Sequence, residues 1–404
     1  MATATRHILT GFLIMTAGGI LLWMYMFNIS GHYDYKAVKT LYARKAVSIE
    51  ANKYGGAISQ TKNASSRIKV PAVPNNSTGA RYVVYMCQHL CGGWGDRLRG
   101  IMSTFAWSVL NGRQFIIEHT WPCDLRKFLQ PKPPLRWADN IPQRKGMTTR
   151  RFNLIDNNSF LQEIQKTKNL SDTFHENVLR FHTNGDMFPG FRYNKDLHKT
   201  IRQRYGVGFK EFTFEKMFKR QYDTIFEMTP YFSEMFQSIL SEAKPTIKSK
   251  LACLQFRQLF QANNTQKNAW AFLKNITSSF QSYKIFVTTD SEEIRKEAKE
   301  IFGSVIVDPA GAIGNIDHAP RAQREHNCHL LEKTLLDWHL LTQCDVLLHS
   351  RSGYGQQASM MKEPFTDIYA LAFNGTITKL QKPDFKQPGG YMDTLFRNMT
   401  EKYQ

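Results

Sequence analysis

The apolar positions of residues 82–121 change period twice. Residues 82–86 form a continuous apolar run, and Leu98, Ile101, Met102, Phe105 and Val109 then recur at helical spacing. Asn111-Gly112 ends that repeat, and Phe115-Ile116-Ile117 restarts as a buried strand. The pattern predicts strand, helix, strand, a βαβ opening. Its turn reads Cys91-Gly92-Gly93-Trp94-Gly95-Asp96-Arg97. Glycines let the backbone bend sharply there, and unpaired amides at a helix start face whatever sits above the strand ends, which suits a phosphate or a sugar. The glycines fall at 92, 93 and 95 and Gly100 lies inside the helix, so this is not the spacing of a dinucleotide site. Gly93, Gly95, Asp96 and Arg97 are the candidate binding residues of the turn, and Arg99 adds a second cation to the helix start.

Beyond the second strand, Glu118-His119-Thr120-Trp121-Pro122-Cys123-Asp124 sets polar and aromatic side chains at a carboxyl end, the usual crevice of an open α/β sheet. Trp121, Trp137 and Tyr193 are candidates either to face a sugar ring or to pack. Residues 148–206 give mixed signals, with Gly185, Pro189 and Gly190 ending helices. Residues 209–243 are helical and rich in aromatics, interrupted at Pro230, and a junction is placed at Pro245.

The second half repeats one rhythm. A strand at 251–257 delivers Arg257 to its end, a helix follows at 268–279, and residues 284–290 are the next strand. Asp290 or Ser291 caps a helix with Glu292 and Glu293 in its first turn. A strand at 304–307, an amphipathic helix at 329–341, a buried strand at 346–348 and a turn, Ser350-Arg351-Ser352-Gly353-Tyr354-Gly355, lead into a last helix at 356–361. Strands alternating with helices make a parallel, doubly wound sheet. Two such α/β domains, residues 80–245 and 246–404, are expected to face each other across a cleft.

The chain begins differently. Residues 8–27 are uncharged and apolar, long enough to cross a bilayer, with Trp23 and Tyr25 near one end. Residues 1–7 are then a cytosolic tail, and the lysine-, serine- and proline-bearing residues 28–79 a stem. Arg6 precedes the span while Lys36, Lys39, Arg44 and Lys45 follow it, which by the positive-inside rule alone would leave the body cytosolic. Sequons decide against this: ten of the twenty-two asparagines begin Asn-x-Ser/Thr, where chance gives roughly three. The expectation is a type II signal anchor in the Golgi or endoplasmic reticulum membrane with a lumenal body. Six cysteines, at 87, 91, 123, 253, 328 and 344, fit that address, and Cys123 is placed within reach of Cys87 or Cys91. No Cys-x-x-Cys or paired histidines stand at ligand spacing, so no metal is expected. The net charge of +19 calls for anionic company, a phosphorylated donor, acidic glycans or a membrane surface rather than nucleic acid, for which no motif is present.

Taken together, the Gly-Asp-Arg-Leu loop, the strand ending in arginine, Val-Thr-Thr-Asp-Ser before a helix, and Asp-x-His-x-Leu-x-x-Cys-Asp-x-Leu followed by Ser-x-Ser-Gly resemble the GDP-fucose-dependent fucosyltransferase superfamily, which includes the α1,2, α1,6 and protein O-fucosyltransferases. The resemblance covers most of residues 81–365. It implies a GT-B fold, inverting transfer of fucose, GDP-fucose as donor, a glycan or glycoprotein acceptor, and no metal or other cofactor. Arg257 matches the arginine that grips the β-phosphate. Asp290 matches an acid near the guanosine, Asp337 the acid of the third motif, and Ser352 with Gly353 the phosphate-holding turn. Helix capping for Asp290 and Ser352 and a solvated helix face for Asp337 are the structural alternatives.

Gln255 stands where many members carry a histidine, and Phe260 where several carry an aspartate. That departure keeps two rival readings open: a lumenal glycan-binding protein on a degenerate transferase scaffold, and a transferase using another nucleotide sugar. For transfer, Glu118, His119, Asp96 and Asp124, in that order, are the candidate bases that deprotonate the acceptor. A homodimer is among the expected partners.

Overall fold

The computed structural model describes residues 68–70, 79–157, 159–258, 265–278, 282–318, 324–350, 352–362 and 367–381. The expected membrane span at 8–27, nearly all of the stem, Phe260 and Arg351 lie outside the described residues. Among the described residues no helix is long and apolar enough to cross a membrane.

Two sheets carry the architecture. In the first, β1 (Tyr82–Cys87), β2 (Gln114–His119), β4 (Thr149–Leu154) and β5 (Val178–Thr183) lie in the order β2-β1-β5-β4, all parallel. In the second, β7 (Lys250–Phe256), β8 (Tyr283–Thr289), β9 (Ile306–Val307), β10 (Val346–Ser350), β11 (Ile368–Leu371) and β12 (Ile377–Lys379) run β12-β11-β10-β7-β8-β9, parallel except for β12. A small antiparallel pair joins β3 (Leu129–Pro131) to β6 (Phe226–Met228).

The principal helices are α1 (Trp94–Leu110), α2 (Phe214–Ile225), α3 (Pro230–Ala243), α4 (Thr265–Ser278), α5 (Glu292–Phe302), α6 (Arg324–Thr342) and α7 (Gly353–Met360). Helix α1 is buried along nearly its whole length, as a helix apolar on most sides must be, and shares one core with α2, α6, α7 and the inner faces of both sheets. The helical segment expected at 209–243 is broken by β6. The aromatic Phe226, directly after α2, favours a strand, and Thr229 then caps α3 through its Oγ1 with Pro230 in the first turn. Ser291, not Asp290, caps α5.

Winding differs between the sheets. The second has helices on both faces: α6 and α7 pack on one, α4 and α5 on the other. On the first, the packed helices among the described residues share one face. The reverse face buries Tyr82, Val84, Met86, Ile116 and Val178 against Ala80, Ile141 and Met147 of loops. Strand alternation also puts the Glu118–Arg180 ion pair on that reverse face, which is why an apolar helix is a poor cover for it.

The disulfide expectation is corrected. Cys87 closes on Cys91 across the turn, Cys123 pairs with Cys328 on α6, and Cys253 of β7 pairs with Cys344 just before the neighbouring β10. The Cys123–Cys328 bridge ties the crevice of the first sheet to a helix of the second.

Candidate functional site

A cavity of about 480 Å³ opens where the carboxyl ends of the two sheets meet. Its walls are the β1–α1 turn at 92–96, the ends of β7 and β8, the loop 312–318, the inner face of α6 and the start of α7. That is the size and placement of a small-molecule site in an open α/β fold.

Two helix starts meet at its back. An added Cβ on Gly95 would lie 2.7 Å from both the Gly353 carbonyl carbon and the Tyr354 nitrogen, so the backbones of α1 and α7 touch. The Gln357 Nε2 donates to the Gly95 carbonyl at 2.7 Å and locks that approach. Ser352 caps α7 by accepting the Tyr354 N–H, and the Asp96 carboxylate accepts the Gly93 N–H at 3.2 Å. Each helix start carries about half a positive charge, so the pair favours an anion between the sheets.

Arg257 leaves the end of β7 with its own N–H donated to Ser350 Oγ at 2.8 Å, while that hydroxyl donates to Gln255 Oε1 at 3.3 Å. The Arg257 Nε faces Asp290 Oδ2 at 3.2 Å, and Asp290 Oδ1 accepts the Gln258 N–H. Asp290, expected beside a guanosine, therefore steadies Arg257 and the turn after β7. Asp337 is buried, not on a solvated face: both its oxygens meet Lys333 Nζ, at 2.6 and 2.7 Å, and Thr288 Oγ1 donates to it. This pair forms one wall of the cavity.

Arg97 does not line the cavity. A guanidinium has five N–H donors, and here they are all used within the protein. Nε donates to the Gly92 carbonyl, Nη1 to the Trp121 carbonyl and His119 Nε2, and Nη2 to the Ile316 carbonyl and Asp317. Burial brings its pKa down to about 10, which leaves it charged at neutral pH. Because Arg97 can only donate, His119 Nε2 accepts and its Nδ1–H faces the Cys123 carbonyl at 3.3 Å. Burial and then the Arg97 charge push the His119 pKa down to about 3. His119 is a neutral brace for Arg97, with no nitrogen left for an acceptor.

The other base candidates separate cleanly. Glu118 is ion-paired to Arg180 on the far face of the first sheet, and Asp124 caps the turn Leu125–Lys127 while gripping Arg126. Neither lines the cavity. Asp96 does: its side chain is 41% exposed and faces Arg99 at 3.4 Å, and partial desolvation raises its pKa against the attraction of that cation. Trp137 is fully buried with its Nε1–H on the Ile225 carbonyl, and Tyr193 lies at the surface against Arg192, so both serve packing. Trp121 is half-buried and donates to the Asp317 carbonyl.

Sequence reasoning missed Lys333 and Asp317. The first had a signal, a lysine four residues before Asp337 on a helix. The second, an isolated aspartate in a loop, had none. The amides of Cys91 and Gly92, expected to face a ligand, both donate to Asp317 Oδ1, at 2.6 and 3.0 Å. Gly92 takes a positive φ of 80° to make that possible.

No protein-family model and no curated protein matches the sequence. Among solved structures the chain is similar to a mutant of Arabidopsis thaliana FUT1 in complex with GDP, at 12% identity and TM-score 0.48, covering 74% of this chain and 71% of that one. It is similar to the α-1,6-fucosyltransferase NodZ soaked with GDP-fucose, at 12% identity and TM-score 0.48, covering 75% and 100%. POFUT1 in complex with GDP is similar at 8% identity and TM-score 0.39, covering 73% and 99%. None reaches a TM-score of 0.5, and the roles of individual residues rest on the cavity's own geometry.

Proposed function

We propose that this protein is an inverting, metal-independent glycosyltransferase of GT-B type that moves fucose from GDP-fucose to a hydroxyl of a glycan or glycoprotein. The observation that carries the reading is the meeting of two helix starts beside Arg257, a setting for two adjacent phosphates. The donor's identity rests on the ordered motifs at 91–98, 251–257, 287–291 and 337–353. A lumenal body behind a membrane anchor at 8–27 fits the sequons: Asn157, Asn169, Asn275 and Asn374, the four whose asparagine side chains are described, are all exposed.

In this reading the acceptor oxygen attacks the fucose anomeric carbon from the face opposite the diphosphate. The carbon–oxygen bond to the β-phosphate breaks, and GDP leaves with its charge offset by Arg257 and the start of α7. Asp96, the one candidate base that lines the cavity, takes the acceptor's proton. A base works ionised, and the Asp96 pKa is raised, so activity is lost as pH falls through a value higher than that of a free aspartate.

The test is transfer from GDP-fucose to a panel of glycans by the full chain and by Asp96→Asn. The wild type turns over and shows that acid limb, while the variant loses about a hundredfold in kcat with a flattened limb. A variant with wild-type rate would remove Asp96 from the base role, and a wild type inert toward GDP-fucose with every acceptor would remove the transferase.

A further inference from the structure

Charge in the cavity is arranged by corner. At one corner stand the start of α7 and Arg257, whose guanidinium is about a third exposed. Beyond the contact of the two helix starts, the glycine-rich turn offers two successive amides, those of Cys91 and Gly92, and an anion would settle there if they were free. They are not free: Asp317 Oδ1 holds both, and the adjacent cation, Arg97, has no donor left. That corner presents a fixed carboxylate in place of an anion site.

The second oxygen of this carboxylate is unspent. Among the described residues every bond to the Asp317 side chain falls on Oδ1, the side chain is 14% exposed, and the residue lines the cavity. An anchored carboxylate of this kind repels phosphate and accepts from hydroxyl groups, which a sugar has and a diphosphate lacks. The neighbouring Asp96 adds a second carboxylate to the same corner.

We infer that Asp317 is a specificity-determining residue that accepts a hydrogen bond from a hydroxyl of the donor's sugar. The nucleotide sugar then lies in one direction only, with its phosphates at Arg257 and Gly353 and its sugar between Asp317 and Asp96. This rests on the nucleotide-sugar reading above. It also gives Asp317 two tasks on two oxygens: one holds the turn, the other reads the ligand.

The experiment is calorimetric titration of the full chain with GDP and with GDP-fucose, in the absence of acceptor. Wild type should bind GDP-fucose about tenfold or more tighter than GDP, the worth of one hydrogen bond to a charged group. Asp317→Asn can still accept the two amides and no longer repels phosphate, so its GDP affinity should not fall while the preference for GDP-fucose disappears. On the wild type, one monodeoxy GDP-fucose should bind no better than GDP, a readout that does not depend on any variant's folding. Equal weakening of both ligands in Asp317→Asn would reduce the residue to a strap for the turn and overturn the inference. A retained preference in that variant, a wild type without preference, or full affinity for every monodeoxy donor would overturn it too. If the wild type fails to bind GDP at all, the nucleotide reading falls first and the inference with it.

Discussion

Replacing Arg257 with alanine is expected to lower kcat/KM for transfer by about a thousandfold, the upper range for removing one preorganised donor from a developing charge. The residue is held from three sides. Ser350 fixes its amide, Asp290 faces its Nε, and β7, buried beyond its first residue, sets the direction from which it leaves. A guanidinium so placed costs little reorganisation when GDP departs. Arg257→Lys keeps the charge and loses the planar fork, so it should recover only part of the rate. Stability should hardly move, because the Arg257–Asp290 pair is about a third exposed and such pairs contribute about 0–1 kcal/mol. An alanine variant with full transfer would end the assignment of Arg257 to the leaving group.

The second large effect is expected at Gly95. Its missing Cβ is the space in which α1 and α7 touch, and the atoms it would strike, the Gly353 carbonyl carbon and the Tyr354 nitrogen at 2.7 Å, are backbone and have no rotamer to escape into. Gly95→Ala should cost about 1–3 kcal/mol from overpacking, less the gain of up to about 1 kcal/mol that alanine brings to a helix. It should also weaken GDP binding about tenfold or more, since the helix starts that form the anion site are pushed apart. Gly93→Ala is the control: Gly93 sits at φ −66° and the nearest atom to its added Cβ is 3.9 Å away, so stability and binding should stay near wild type. Thermal denaturation and calorimetry on the two variants check both parts. A Gly95→Ala protein that binds GDP like wild type would show that the contact between helices does not shape the site.

Local signals carried much of the fold. The glycine turn, the period of α1, the strands ending at Phe256 and Thr289 and the caps at Ser291 and Ser352 are written in neighbouring residues, and they stand in the structure close to where the pattern puts them. What was not legible depends on distant contacts. An arginine at a helix start reads the same whether it grips a ligand or, like Arg97, braces a loop more than two hundred residues away. Alternation along β2 tells that Glu118 and His119 face opposite ways but not which way is the crevice. Cys123 had three cysteines closer in sequence, at 87, 91 and 253, than its partner, Cys328, 205 positions on. Asp317 became visible only once the loop 312–318 lay against the turn at 91–93.

The transferase reading is tested most directly by calorimetric titration of the purified full chain with GDP, UDP, CMP and ADP, each with and without EDTA. On this reading GDP binds selectively and equally well in EDTA. Preference for another nucleotide, loss of GDP binding on chelation, or no nucleotide binding by folded protein would contradict it, the last leaving a glycan-binding scaffold in its place.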